Sequence, residues 1–307
     1  MNSGRDDAGR GTSADSSSAR PGVAVVGAGA VGTALGVAIS RAGWPVVAVI
    51  SRDATRRDRF VALVPGARAF GRIASMPGEV GLVIVAVPDD AIADVAAEIP
   101  LQLGRAAVHT SGALGAEVLA DFASRGGAVG AFHPLVSFTL DVERSVAGIV
   151  GATIAIEGDD RLIELLADLA ESLGARPIRL PPGTKSAYHA AAVLASGGLV
   201  ALLDAIAVAA ATLGLDERDT VAVYGRLVEQ TLANARTAGI AASLTGPITR
   251  GDVGTIAAHM AVLEARAPDV VELYAAAARR QLRIAEERGA LSPDQAVRVR
   301  DVLAKGA

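Results

Sequence analysis

Val23-Ala24-Val25-Val26-Gly27-Ala28-Gly29-Ala30-Val31-Gly32 is the stretch on which the fold of this chain turns. A short apolar run, Val23–Val26, leads straight into a G-x-G-x-x-G, and the apolar segment Ala30–Ala42 follows without a break. A predicted strand that ends on such a turn and opens a helix is the context that gives the motif physical meaning. Gly27 permits the tight turn, Gly29 lets a ligand approach the backbone, and Gly32 lets helix and strand pack closely. The helix tip then presents unpaired N–H groups to a pyrophosphate. Gly27, Ala28, Gly29, Ala30, Val31 and Gly32 are therefore the expected cofactor-binding turn, with a ligand-free glycine turn as the alternative.

Outward from this turn, short apolar runs alternate with helical stretches as far as Pro181, the sign of a parallel α/β sheet. The runs are Val23–Val26, Val46–Ile50, Leu82–Val87, Ala106–His109, Ala128–Phe132, Ala152–Ile156 and Arg176–Leu180. After Pro181-Pro182 the texture changes, and helices are expected near 184–213, 217–237, 252–266, 269–288 and 293–304. Pro268 and Pro293 fall at first-turn positions, where a missing N–H costs little. Residues 21–181 thus read as one domain and 182–307 as a helical second one. Residues 1–20 are Ser, Gly, Asp and Arg without an apolar run, too polar to offset ordering entropy, and read as a disordered tail with no signal-peptide core.

The remaining composition narrows the function classes. The 307 residues carry a net charge of −4, against a general nucleic-acid binder, which needs a basic face. There is no cysteine, which removes disulfides, thiolate metal sites and thiol nucleophiles and suits the cytoplasm. Ala190–Leu215 is long enough to cross a bilayer, but Asp204 sits in its middle and no aromatic belt flanks it. We expect a buried central helix and no membrane partner. No histidine pair has metal-ligand spacing, so no metal site is expected.

Ser51-Arg52 closes the second predicted strand, where NAD-binding proteins usually place an acid for the ribose hydroxyl. A carboxylate there repels a 2′-phosphate, whereas a hydroxyl and a guanidinium bind one, so NADP is the expected cofactor. Arg56, Arg57 and Arg59 add positive potential or simply form a solvated helix face.

Of 29 basic residues only Lys185 and Lys305 are lysine. Arginine does not release a proton at workable pH, whereas a partly buried lysine can. Lys185, at the junction of the two domains, is thus a candidate proton donor, or else a solvated first-turn lysine. His189 follows four residues later on the same helix face. His109 and His133 end predicted strands, where ligands of open α/β sheets bind; a buried structural histidine is the alternative for each, and for His259 above all. Val87 and Pro88 border the expected nicotinamide side, and Thr110-Ser111 offers hydroxyls there. Ser111 lacks the setting of a hydrolase serine. Arg250 either clamps a substrate carboxylate or pairs with Asp252.

With these residues in view, the chain resembles bacterial proteins that join a Rossmann-like domain to a C-terminal domain of unknown function. The stretches that carry the resemblance are GAGAVG (27–32) with SR (51–52), AVPDDAI (86–92), HTSGA (109–113), FHPLVSF (132–138), KSAYHAAAVLAS (185–196) and GPITRGD (246–252). That family is similar to ketopantoate reductases, pyrroline-carboxylate reductases, prephenate dehydrogenases and 6-phosphogluconate-type dehydrogenases. The resemblance implies an α/β fold: an N-terminal Rossmann parallel-sheet domain, then an all-α domain like the C-terminal domain of 6-phosphogluconate dehydrogenase. It implies hydride transfer between NADPH and a small carbonyl compound, a 2-oxo acid such as ketopantoate being one candidate. The wider superfamily often has Lys followed four residues later by Asn; Lys185 fits the lysine, while His189 stands in place of the Asn. Gly197 stands where an Asn often follows.

The expected roles are Lys185 as proton donor, His189 as its support or a substrate-orienting group, and His133, Ser111 and Arg250 as substrate-binding residues in a homodimer. A non-catalytic NADP sensor and an imine or pyrroline reductase are the alternatives, and a deazaflavin remains open as hydride partner.

Overall fold

The computed structural model describes residues 20–304. The expected tail lies outside the described residues except for Arg20, which is tied down: it donates to Ala42 O at 3.1 Å and lies over the Trp44 ring.

Eight strands form one sheet: β1 Gly22–Val26, β2 Val46–Ile50, β3 Arg68–Phe70, β4 Val80–Val85, β5 Ala106–His109, β6 Ala128–Pro134, β7 Thr153–Glu157 and β8 Arg176–Arg179. Their order is β3-β2-β1-β4-β5-β6-β7-β8. The first six run parallel in the order of a dinucleotide-binding sheet. Helices cover both faces, so β1 and β4 are near-continuous apolar runs. One face packs under α1 (Ala30–Arg41), α2 (Ala54–Leu63), α5 (Val142–Ile149) and α6 (Asp160–Ser172), with Leu35, Phe60, Phe132 and Leu166 fully buried. The other packs under α3 (Ile92–Glu98) and α4 (Ala120–Ser124), around Val85, Ile92 and Phe122. Burial of each such side chain contributes about 1.5–3 kcal/mol.

The sheet is not wholly parallel, which corrects the sequence expectation. β7 pairs antiparallel with β6, placing Ala131 opposite Glu157 and His133 opposite Ala155. Leu135, just past β6, donates to Thr153 O at 2.8 Å, so β7 starts at the edge where β6 ends. The chain between them first descends as a loop, and α5 begins beside the last turn of α1, where Arg41 meets Glu143. No crossover back to the opposite edge occurs, and the next strand is reversed.

The division also falls later than the expected 181/182. The chain separates into compact units at Ala192/Val193. The first turns of α7 (Lys185–Ala195) thus belong with the sheet, because their side chains pack on it. The second unit holds α8 (Gly197–Ala210), α9 (Glu217–Ala238), α10 (Ile240–Ser243), α11 (Pro247–Arg250), α12 (Val253–Arg266), α13 (Val271–Glu287) and α14 (Pro293–Ala304). Its core is Ile248, Ile256, Met260, Ala275, Leu282, Val299 and Leu303, from α11 to α14. Aspartates start α2, α5, α6, α9 and α12, each carboxylate accepting from the amide three residues on; such caps are worth about 1 kcal/mol apiece.

The expected buried central helix is not buried. The stretch Lys185–Leu213 is long and apolar enough, by length and composition, to cross a membrane, yet little of it is covered. It is also broken at Ser196, between α7 and α8. Within α8 only Ala205 and Ala210 are buried, while Val200 is 64% exposed. Apolar composition demanded a cover, but the chain's own helices supply only part of one.

Candidate active site

The turn after β1 is shaped by its glycines. Gly27 has φ +104°, and a Cβ on it would stand 2.2 Å from Ala86 O. A Cβ on Gly32 would stand 1.9 Å from Gly27 O, whereas one on Gly29 would meet nothing within 4 Å. Two glycines therefore let backbone meet backbone, and the third leaves open space at the tip of α1. Gly29 caps α1 without a side chain, so the first amides have no intrahelical acceptor and face that space with the positive end of the helix dipole. Ala28 is buried and Val31 packs on the core; both serve by backbone only. The cradle fits a phosphorylated ligand in both charge and space.

At the end of β2 the Arg52 side chain is exposed. Arg57 is neither solvated nor free: its Nη1 donates to Ser51 O at 2.5 Å and Arg52 O at 3.1 Å, bracing the loop. Asp53, which the sequence reading passed over, caps α2 by accepting from Arg56 N at 3.1 Å and pairs with the Arg56 guanidinium at 3.3 Å. Its negative charge is thus already engaged. Arg59 donates to Leu140 O at 3.2 Å, away from the rim.

The tips of β4 and β5 form the next wall. Val87 is half-buried and Pro88 exposed. The Ser111 hydroxyl donates to Asp89 Oδ2 at 2.9 Å and accepts from the amides of Ala113 and Leu114, both at 3.1 Å. Thr110 Oγ1 reaches Val85 O at 3.5 Å. The Ser111 hydroxyl thus joins its own loop to the turn after β4, and Thr110 Oγ1 stands at the limit of hydrogen-bond range. His109 is a structural residue of the same loop. It is fully buried, its Nδ1 accepts from Ser111 N at 3.2 Å, and its Nε2–H therefore donates to Gly115 O at 3.0 Å. Burial first, and Lys185 second, lower its pKa to about 4, so the ring is neutral.

Alternation along the strands puts His109, Ala131, His133 and Glu157 on one sheet face, and α7 lies over them. Burial, with Lys185 next, also lowers the His133 pKa to about 4, and burial raises that of Tyr188 to about 12. The Tyr188 hydroxyl and His133 Nδ1 share a hydrogen bond at 2.8 Å, which ties the neutral ring to α7. His189 stands edge-on to His133 with ring centroids 6.0 Å apart. Both rings press on Gly112, whose Cβ would lie 2.3 Å from His189 Nδ1 and 2.8 Å from His133 Nε2. His189 Nδ1 is buried and has no hydrogen-bond partner.

Lys185, one turn earlier, is 5% exposed, so it is not a solvated first-turn lysine. Its Nζ lies 3.4 Å from Glu157 Oε1, near enough for an ion pair but off the hydrogen-bond direction. Burial lowers its pKa and Glu157 opposes that shift. Beside it opens a cleft of about 510 Å³, lined by Glu117, Glu157, Arg179, Lys185 and Ser186 among others. Glu157, Tyr188 and Glu117 were missed in the sequence; only Tyr188, one helix turn after Lys185, carried a local signal.

Arg250 and His259 belong to the second unit. Asp252 spends its carboxylate on Thr255, at 3.0 and 2.7 Å, rather than on an ion pair with Arg250. His259 Nδ1 meets the Tyr274 hydroxyl at 2.9 Å. Among the described residues no three His, Asp or Glu side chains gather as a metal group.

Strand order and glycine turn together define a Rossmann-like α/β domain followed by a helical one. Residues 8–134 match the model of the Rossmann-like domain, and residues 152–281 that of a domain of unknown function, DUF2520. The site draws on both matched segments: His109 and His133 lie in the first, Glu157, Lys185, Tyr188 and His189 in the second. No curated protein matches the chain. Among solved structures, a Bacteroides fragilis protein named as an NADP oxidoreductase is 23% identical (TM-score 0.69; 86% of this chain, 98% of that one). A Thermotoga maritima protein is 26% identical (TM-score 0.68; 87% and 99%). An imine reductase from Pseudomonas sp. is 20% identical (TM-score 0.63; 94% and 99%).

Proposed function

We propose that this protein is an NADP-dependent oxidoreductase acting on a small carbonyl or imine compound. The observation that carries the reading is the open space at Gly29, walled by backbone at Gly27 and Gly32 and lying at the tip of α1. The coenzyme, when bound, supplies or accepts a hydride. In this reading the 27–32 turn holds the pyrophosphate by backbone amides, and Ser51 and Arg52 hold the 2′-phosphate. Val87, Pro88 and the Thr110–Ser111 backbone border the nicotinamide side. Lys185 gives a proton to the developing oxygen or nitrogen, since burial makes its ammonium a stronger acid. His189, with an unpartnered Nδ1 at Gly112, orients the substrate, and His133 Nε2 lies beside it. Arg250 is a further candidate for a substrate carboxylate. A 2-oxo acid such as ketopantoate is one substrate candidate; a C=N compound is the second, favoured by likeness to an imine reductase.

The exposed Val200, Val223 and Leu227 of α8 and α9 support a homodimer paired through these helices, and a monodisperse monomer by light scattering removes that part. Calorimetry with NADPH, followed by a panel of oxo acids and imines read by NADPH absorbance, tests the whole. Lys185→Ala should lower turnover about 100-fold or more with NADPH binding retained. Absence of NADPH binding refutes the proposal; binding without turnover on any substrate leaves the sensor reading.

A further inference from the structure

We propose that Glu157 is the positioning residue for Lys185, its carboxylate tying the buried ammonium to the loop that follows β5. This rests on reading Lys185 as the proton donor. The reversal of β7 is what makes it possible: register sets Glu157 beside Ala131, itself beside His109, so the carboxylate stands in the row that closes β4 and β5, on the face that α7 covers. Its two oxygens serve different elements. Oε1 faces Lys185 Nζ at 3.4 Å, and Oε2 accepts from Ala116 N at 3.2 Å. Both side chains are largely out of water, at 6% and 16% exposure.

The other charged and titratable groups around Lys185 cannot replace it. His109 from β5 and His133 from β6 are neutral, and so add no anion. His189 stands one turn further along α7. Arg179 of β8 lines the same cleft but is turned to Asp160 at 2.9 Å. Asp89 is held by Ser111. Glu117, from the turn Ala116–Leu119, adds a more distant negative charge. Glu157 is therefore the anion in contact. Without it, desolvation acts on the ammonium almost unopposed, and the proton is lost at lower pH.

Lysine identity makes the test direct. With only Lys185 and Lys305 in the chain, ε-15N-lysine labelling of the full-length protein gives two signals, and Lys185→Arg assigns them. In Glu157→Gln the Lys185 midpoint should fall by about one to three pH units. The alkaline limb of the kcat profile should move down with it, while KM for NADPH stays. Glu157→Asp, which keeps a shorter carboxylate, should restore part of the shift. An unchanged Lys185 midpoint in a folded Glu157→Gln protein overturns the proposal. Should that variant not fold, Glu157→Asp decides: a smaller fall supports the tie, and no change overturns it. A shifted midpoint in a protein without NADPH turnover upholds the tie between the two side chains and refutes the donor role instead.

Discussion

Replacing Gly29 by alanine separates ligand from fold. Gly29 sits at φ −80° and ψ −170°, an extended conformation open to any residue, and no atom lies within 4 Å of the added methyl. The variant should therefore stay close to the parent in stability, because the gain of about 0.4–1 kcal/mol from a less flexible unfolded chain is offset by alanine being a poorer N-cap than glycine. Gly32→Ala is the contrast. Its Cβ would lie 1.9 Å from Gly27 O, where real contacts stay above 3.0 Å, so backbone must move by more than 1 Å. Overpacking of that kind costs about 1–3 kcal/mol, and each kcal/mol lowers Tm by about 2–4 °C in a chain of this size. Under the proposed function the methyl at position 29 fills the seat of the pyrophosphate. Each charge-assisted hydrogen bond lost there is worth about 1.5–3 kcal/mol, so NADPH should bind about ten- to a hundredfold more weakly per bond. Calorimetric titration with NADPH and a thermal melt, run on both variants, read the two effects apart. Parental NADPH affinity in Gly29→Ala would refute the assignment of that space, and a large loss of Tm would refute the geometry.

Arg52→Ala should weaken NADPH binding about tenfold or more and leave NADH binding unchanged; equal loss of both coenzymes refutes a 2′-phosphate contact. For stability against pH, the buried His109 and His133 titrate near 4 in the folded chain against an ordinary value of 6.5. The unfolded chain takes up their protons first, so their contribution is complete above about 6.5 and is lost as pH falls through about 4. Denaturant melts should show unfolding free energy dropping across that window, and a flat profile contradicts burial of the neutral rings. Tyr188→Phe removes the hydrogen-bond partner of His133 Nδ1. It should cost about 1 kcal/mol and release the tautomer, seen as a change in the His133 ring 15N shifts; unchanged shifts would deny the hydrogen bond.

The glycine turn was legible because all of it is local: strand, turn and helix lie within one short stretch. Two helix starts were legible for the same reason, through Pro268 and Pro293 at first turns. β3 escaped notice because Arg68-Ala69-Phe70 has only three residues, two of them exposed. The reversal of β7 escaped because alternating polarity reads the same in either direction. Glu157 was invisible as a partner of Lys185, since their meeting depends on that reversed register. The turn at Ser111 had a local clue as well: a serine before glycine readily turns its hydroxyl onto the next amides. The Lys185–Leu213 stretch shows the opposite limit, where apolar composition tells that a surface needs covering but not what covers it.

The strand order also leaves two borders, and both are guarded. β8 reads Arg-Pro-Ile-Arg: Pro177 lacks an amide hydrogen, and Arg176 and Arg179 are exposed charges flanking it. β3 at the other border is three residues long and begins with the exposed Arg68. A further strand laid along either margin would find too few matching donors and acceptors and would have to strip water from guanidinium groups. The sheet is thereby insulated against growth by stacking chain upon chain, and any self-association of the molecule is left to its helices.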